Sequence, residues 1–146
     1  MALGELWRLG KGGKETAVKE MILYYTPEDR AHGPILRGVA ARMGIKIKNL
    51  TPERCIQKIG YLTGVEGVEK REVSVNFQKY APVMEEEMLV LSGFTEERLE
   101  ELLGNLKKSG VPKIGLKAVV TETNAQWTAY QLYEQLKEEH RQLTGR

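Results

Sequence analysis

The sequence predicts an α/β domain made of a duplicated β-α-β-α unit, with a mostly parallel sheet of about four strands flanked by helices. The apolar runs EMILYY (20–25) and EMLVLSG (87–93) are each followed by a helical pattern, a glycine and a second short strand pattern. These signals recur after 66 to 70 residues. Consecutive β-α-β units place their strands parallel, whereas two opposed halves would give a mixed sheet.

The first half spans residues 20–64. Its strand EMILYY precedes TPED, where Thr26 is the predicted cap of a helix that ends at Gly44. The alternating run IKIKNL then predicts a half-buried strand, and TPER at 51–54 repeats the helix-start signal. His32 lies beside Gly33 and Pro34 and is predicted to be exposed in a loop.

The second half spans residues 85–142. EMLVLSG predicts a strand, and FTEERLEELLGNLKKSG predicts a helix that Gly110 ends. KIGLKAVV predicts the next strand, and the last helix is expected over 123–142.

Residues 65–84 connect the halves and have the glycines and charges of a linker. Within this stretch, EVSVNF (72–77) alternates apolar and polar residues. It predicts either an extra edge strand or an extended segment lying on the core. We expect residues 1–19 to form a flexible extension and 20–146 a single domain of two similar halves.

Composition excludes several classes of protein. The chain is 41% hydrophobic and has no apolar run near the roughly 18 residues of a membrane span. It has 22 Lys and Arg against 20 Asp and Glu, so nucleic acid is a disfavoured partner. With one cysteine and two histidines, neither a disulfide, a zinc site nor a Cys–His dyad is favoured, and we expect no metal or cofactor.

The opening 20 residues show no continuous apolar stretch or cleavage site of a signal peptide. The default expectation is therefore a cytoplasmic protein.

The predicted loops between strands and helices lack the glycine-rich patterns that hold phosphates. Acidic residues fill the predicted first turns instead, among them Glu28, Glu53, Glu96 and Glu97. They complement the helix dipole and would repel a phosphate, so nucleotide binding is disfavoured.

The stretch TETNAQWT at 121–128 holds the candidate binding residues. Thr123 and Gln126 have the spacing of a capping box, and Trp127 begins an apolar stripe that would pack on the sheet. Asn124 is not needed by such a cap. Its amide would bond a neighbouring loop or face a ligand.

A resemblance to a known family rests on two stretches of the second half, EEEMLVLSGFTEERLEELLGNLKKSGV and IGLKAVVTETNAQWTAYQLYEQLKEEH. The second stretch contains the spacing T-x-T-N-x-x-W-T-x-x-x-L. Residues 85–140 resemble the bacterial domain of unknown function 3783. The resemblance implies a small intracellular α/β domain and carries no known reaction, cofactor or partner. It makes Thr121, Thr123, Asn124 and Trp127 positions to test.

No plausible pairing of nucleophile with acid or base emerges from the sequence, so the favoured interpretation is a non-enzymatic binding or regulatory domain. It would act through protein–protein contacts of EVSVNF or of the N-terminal Leu- and Trp-bearing turn, with a homodimer as one form. The alternative is a small-molecule-binding protein or enzyme that uses the edge where strands end, near Thr26, Ser92, Asn124 and Trp127. Nucleic-acid binding is the weakest hypothesis.

Overall fold

The computed structural model describes residues 19–28, 31–72 and 83–144. This part of the chain contains four strands, five α-helices and one 3₁₀ turn. In the first half they are β1 (Met21–Tyr25), α1 (His32–Arg42), β2 (Lys46–Asn49), α2 (Pro52–Cys55) and α3 (Ile59–Thr63). In the second half they are β3 (Met88–Ser92), α4 (Glu96–Lys108), β4 (Leu116–Val119), the 3₁₀ turn (Asn124–Gln126) and α5 (Ala129–Thr144).

The sheet has the strand order β2-β1-β3-β4. Each half contributes a parallel pair, and the two pairs meet through an antiparallel contact between β1 and β3. The predicted α/β class and four mostly parallel strands are confirmed. The expectation of one shared edge for all strand ends is wrong, because the opposed halves produce a mixed sheet.

The burial of each strand matches its place in the sheet. The central strands MILYY and MLVLS are buried on both faces, which requires continuous apolar runs. The strand KIKN lies at the edge and alternates charged and uncharged residues. At the other edge β4 is mostly buried, and only Lys117 is half-buried.

Helices cover both faces of the sheet, which gives three layers. On the first face α1 and α4 pack on the side chains of alternate strand residues. On the second face lie α2, α3, the 3₁₀ turn and α5. The first layer of the core contains Ile22, Tyr24, Leu36, Val39, Leu89, Leu91, Leu99, Leu102 and Leu106. The second contains Leu23, Leu50, Cys55, Ile59, Leu62, Met88, Val90, Ala118, Leu132 and Tyr133. Full burial of one such side chain contributes about 1.5–3 kcal/mol.

Of the helix starts predicted at Thr26 and Thr51, only the one at Thr51 is confirmed. Thr51 and Thr95 cap α2 and α4 by accepting the amides of Arg54 and Arg98. Thr26 does not begin a helix, because its hydroxyl donates to the carbonyl of Glu28 and α1 starts only at His32.

The two halves repeat the same hydrogen-bond pattern. Met21 is in register with Lys46 in one parallel pair, and Met88 with Leu116 in the other. The strands β1 and β3 pair symmetrically about Leu23 and Val90.

On the second face the halves meet again at an isolated antiparallel bridge between Lys58 and Thr128. There the Ile59 amide donates to the Trp127 carbonyl and the Ala129 amide donates to the Gln57 carbonyl. The bridge therefore lies between the N-termini of α3 and α5.

The connection between the halves is held by side chains where it is described. The buried Gln57 amide group bonds the backbone of Arg71 in both directions, at 2.8 and 3.0 Å. Tyr25 donates to the Met84 carbonyl, and Tyr133 accepts the amides of Glu85 and Glu86. Most of the predicted strand EVSVNF and the N-terminal turn lie outside the described residues. Within the described ranges, no helix is long and apolar enough to cross a membrane.

The turn after β3 provides a test of the fold. Gly93 has φ +83°, and an added Cβ would lie 2.5 Å from the Lys19 carbonyl oxygen. Gly110 has φ +91° with open space around it. We expect Gly110→Ala to lower the free energy of unfolding by about 1 kcal/mol and Gly93→Ala by about 3 kcal/mol or more. Urea unfolding would measure both, and equal losses would contradict the close packing at Gly93.

Candidate functional site

The predicted polar residues at strand ends do not converge on one edge. Tyr25 pairs with Met88 and Met21 with Ser92, so the end of β1 lies beside the start of β3. Thr26 and Ser92 are therefore separated by the length of a five-residue strand, about 13 Å or more. The structure keeps Asn124 and Trp127 in one segment but does not bring Thr26 to them.

Asn124 closes the turn after β4. Its side-chain oxygen accepts the Thr121 amide at 2.8 Å, and its side-chain NH₂ donates to the Val119 carbonyl at 3.0 Å. Thr121 returns the contact by accepting the Asn124 amide at 3.1 Å. The Asn124 side chain is buried and bonds only to backbone, which explains its presence without a ligand.

The predicted capping box at Thr123 and Gln126 is wrong. Thr123 is exposed, has helical backbone angles and makes no cap hydrogen bond. The box forms five residues later, where Thr128 accepts the Gln131 amide and Gln131 accepts the Thr128 amide. The capping box forms at Thr128 because the strand-like bridge of this residue to Lys58 interrupts the helix that was expected from residue 123.

Trp127 occupies the extended link between the 3₁₀ turn and α5. Its indole is half-buried against the second face of the core, and its carbonyl accepts the Ile59 amide at 2.8 Å. The residue thus packs against the core and links the halves, and it is only partly buried.

The first half has an equivalent turn after β2. The Thr51 hydroxyl accepts the Arg54 amide, and the Arg54 guanidinium donates to the Asn49 carbonyl at 2.7 Å. In each half, a threonine cap and a side chain three residues later therefore close the turn and bind the last carbonyl of an edge strand. These residues have a structural task that does not require a ligand.

A cluster of ionisable groups lies between the halves on the first face. The Tyr24 hydroxyl donates to a carboxylate oxygen of Glu87, and His32 Nε2 lies 2.6 Å from the same oxygen. Burial raises the pKa of Tyr24, and the hydrogen bond to Glu87 raises it further. The guanidinium of Arg37 lies 5.5 Å from the centre of the Tyr24 ring.

This cluster corrects the prediction that His32 is exposed. Its side chain is 14% exposed and fixes the start of α1 to the residue before β3. Sequence patterns could not reveal it, since Tyr24 and His32 lie 63 and 55 residues from Glu87. Tyr24 in its strand and the acidic run at 85–87 each had a simpler local interpretation.

One concave region is formed by the chain around the start of β3 and the start of β4. A shallow depression of about 240 Å³ is lined by Glu85, Glu86, Glu87, Lys113, Ile114, Gly115 and Leu116. It is smaller than the roughly 300–1,000 Å³ of typical small-molecule pockets. No group of three His, Cys, Asp or Glu side chains in the described part of the chain is arranged to hold a metal ion.

Cys55 is a poor nucleophile in this fold. Its side chain is buried in the second layer of the core, and burial raises the pKa of its thiol to about 11. Of the acids predicted in first turns, Glu53 lies in that of α2 and Glu96 and Glu97 lie in that of α4. The prediction for Glu28 is wrong, because α1 begins only at His32 and has no acidic residue in its first turn.

Comparison with known proteins finds a family model that matches part of the chain. Residues 87–143 match the family model described as Domain of unknown function (DUF3783), which confirms the resemblance inferred from the Thr-Asn-x-x-Trp motif. No curated protein and no solved structure matches the chain. The matched segment begins one residue before β3 and ends within α5, so it covers the second half of the fold and not the first.

The role of Asn124 in the turn can be measured by substitution. We expect Asn124→Ala to lower the free energy of unfolding by about 2–3 kcal/mol, because it leaves the Thr121 amide and the Val119 carbonyl without this partner. Thr123→Ala is the matched control and should change stability by less than about 0.5 kcal/mol. If urea unfolding shows a larger loss of stability for Thr123→Ala than for Asn124→Ala, the capping role predicted for Thr123 is supported instead.

The buried thiol gives a second, pH-dependent prediction. With its pKa near 11, Cys55 in the folded protein should react with iodoacetamide about a hundredfold more slowly at about pH 8 than in guanidinium chloride. Burial of the neutral thiol contributes to the free energy of unfolding in full at pH values below the pKa of Cys55 in the unfolded chain. This contribution is lost as the pH rises through about 11, the pKa of Cys55 in the folded protein. Equal alkylation rates in folded and unfolded protein would show that the thiol is accessible.

Proposed function

We propose that the protein is a non-enzymatic binding or regulatory domain that acts through protein–protein contacts. The supporting observation is the state of the polar side chains at the strand-to-helix junctions, where Thr51, Thr95, Thr121 and Asn124 bond the chain's own backbone. In the described ranges no buried side-chain nitrogen or oxygen lacks a partner. A catalytic or ligand-binding site would instead contain polar groups that have no partner in the protein and can bind a substrate.

The ionisable cluster supports the same proposal. Glu87 is shared by Tyr24 and His32, and burial together with this carboxylate holds Tyr24 protonated. A protonated tyrosine cannot act as a base. The contacts join β1, α1 and the start of β3, which is a structural link between the two halves.

A small-molecule-binding protein or enzyme is the second candidate function. The observation that favours it is the half-buried indole of Trp127, which retains solvent contact beside the candidate turn. The bonds of Asn124 to Thr121 and Val119 oppose it, because they occupy both ends of the amide. The binding roles of Thr121, Thr123, Asn124 and Trp127, and a cytoplasmic location, stay predictions.

We also propose that the two halves are copies of one β-α-β-α unit. The equal registers of the two parallel pairs support this. A single unit would expose the edge of β3 that pairs with β1 here. Two units would then need to associate, and the duplicated chain provides both.

Two measurements test the proposed function. Random-peptide phage display on the immobilised full chain should enrich related sequences, and thermal unfolding should show no shift with a panel of nucleotides, amino acids and organic acids. Sedimentation velocity over about a hundredfold range of concentration tests the homodimer form. A monomer that enriches no peptide and is stabilised by a panel compound would favour the small-molecule alternative.

A further inference from the structure

The edge strand β2 presents backbone groups outward. The Leu50 amide donates to the Tyr24 carbonyl, so alternate residues Lys48 and Lys46 direct their backbone groups towards β1. The amide and carbonyl of Ile47 therefore point away from the sheet. They form no hydrogen bond with the described residues.

The opposite edge provides a comparison. In β4 the Val120 amide donates to the Leu91 carbonyl, which places the backbone groups of Lys117 outward as the equivalent of Ile47. The two edges share their geometry but differ in the charge around them.

The stretch of chain that contains β2 is positively charged. Residues 31–65 contain six Lys and Arg side chains and a single acid, Glu53. Residues 83–144 contain seven Lys and Arg against eleven Glu. Over the two halves as defined above, residues 20–64 hold seven Lys and Arg against four acids and residues 85–142 hold seven against eleven, so the halves carry opposite net charge.

Two of these cations are fixed at the end of the strand. Arg37 donates to the Asn49 side-chain oxygen at 3.1 Å, and Arg54 donates to the Asn49 carbonyl at 2.7 Å. Lys46 and Arg42 are exposed at the other end of the strand and at the end of α1.

Lys48 is affected by the positive charges of its neighbours Arg54 and Lys46. Burial lowers the pKa of Lys48, and the charges of Arg54 and Lys46 lower it further. No carboxylate of the described residues forms an ion pair with any of the six. A partner with negative charge would relieve this repulsion.

We propose that the open edge of β2 is the docking site for an extended acidic segment of a partner protein. This inference rests on the proposed function and names its contact surface. The segment would add a strand by bonding the Ile47 amide and carbonyl, while its carboxylates meet Lys46, Arg42 and Arg37. Strand addition is favoured over nucleic acid because residues 31–65 offer one aromatic side chain, Tyr61, for base stacking.

Edge lysines also have a simpler role, since they discourage pairing between identical sheets. That role needs no partner. A binding experiment with the full chain separates the two explanations.

The probe is a fluorescein-labelled decapeptide of alternating Glu and Thr, followed by fluorescence anisotropy. We expect binding that weakens by about tenfold or more when salt is raised from low to above physiological concentration. An alternating Lys and Thr decapeptide should not bind. A decapeptide with the same glutamates but proline in place of threonine should bind at least about tenfold more weakly, because it cannot form the ladder.

Variants locate the contact. Ile47→Pro removes the outward amide without removing a bond to β1, and Lys46→Glu reverses a charge beside it. Each should weaken binding of the Glu and Thr peptide by about tenfold or more. Lys117→Pro on the opposite edge is the matched control and should bind as the original chain does. Circular dichroism and thermal unfolding confirm folding, and if Ile47→Pro does not fold, Lys46→Glu and Arg42→Glu carry the test.

Several results would overturn the inference. The first is that the Glu and Thr peptide does not bind, and the second is that the proline peptide binds equally well. The third is that Lys117→Pro weakens binding as much as Ile47→Pro does. The fourth is that a single-stranded DNA decamer displaces the peptide and that this displacement requires Lys46. If phage display enriches peptides whose binding is unaffected by Lys46→Glu and Ile47→Pro, the proposed function stands and the β2 surface is wrong. If no peptide is enriched and none binds, both fail.

Discussion

The antiparallel contact between β1 and β3 is the constraint on which the rest of the structure depends. Its central residues, Leu23 and Val90, have no exposed surface, and each strand is covered by helices on both faces. The contact joins two parallel pairs that would each be too small to form a stable sheet alone. It also reverses one half relative to the other, so the ends of the strands lie on two opposite edges.

That reversal shapes the chemistry of the surface. The turns after β2 and β4 are held apart and each is closed by its own side chains, with Arg54 in one and Asn124 in the other. A single crevice of the kind that binds ligands in open parallel sheets does not form in the described part of the chain. The strand order places the cationic edge β2 and the edge β4 of the acidic half at opposite sides of the sheet.

Much of the fold could be predicted because it is encoded locally. Apolar runs identified the strands, and Gly44 and Gly110 follow α1 and α4 with φ of +73° and +91°. The bonds of Thr121 and Asn124 in the turn after β4 could not be predicted. Thr123 has the spacing of a cap, yet the contact between Lys58 and Thr128 moved the helix start to Ala129. A local pattern gives no information about a bridge to residues 70 positions away.

The sequence by itself determined the α/β class, the order of the elements and their buried faces, because periodicity and caps depend on residues within a few positions of each other. Only the tertiary structure decided that the halves oppose one another, since a continuous apolar strand is equally suited to parallel and antiparallel neighbours. The same holds for the sharing of Glu87 by Tyr24 and His32 and for the outward backbone of Ile47. These features depend on which distant segments meet, and that choice is made by packing of the whole core.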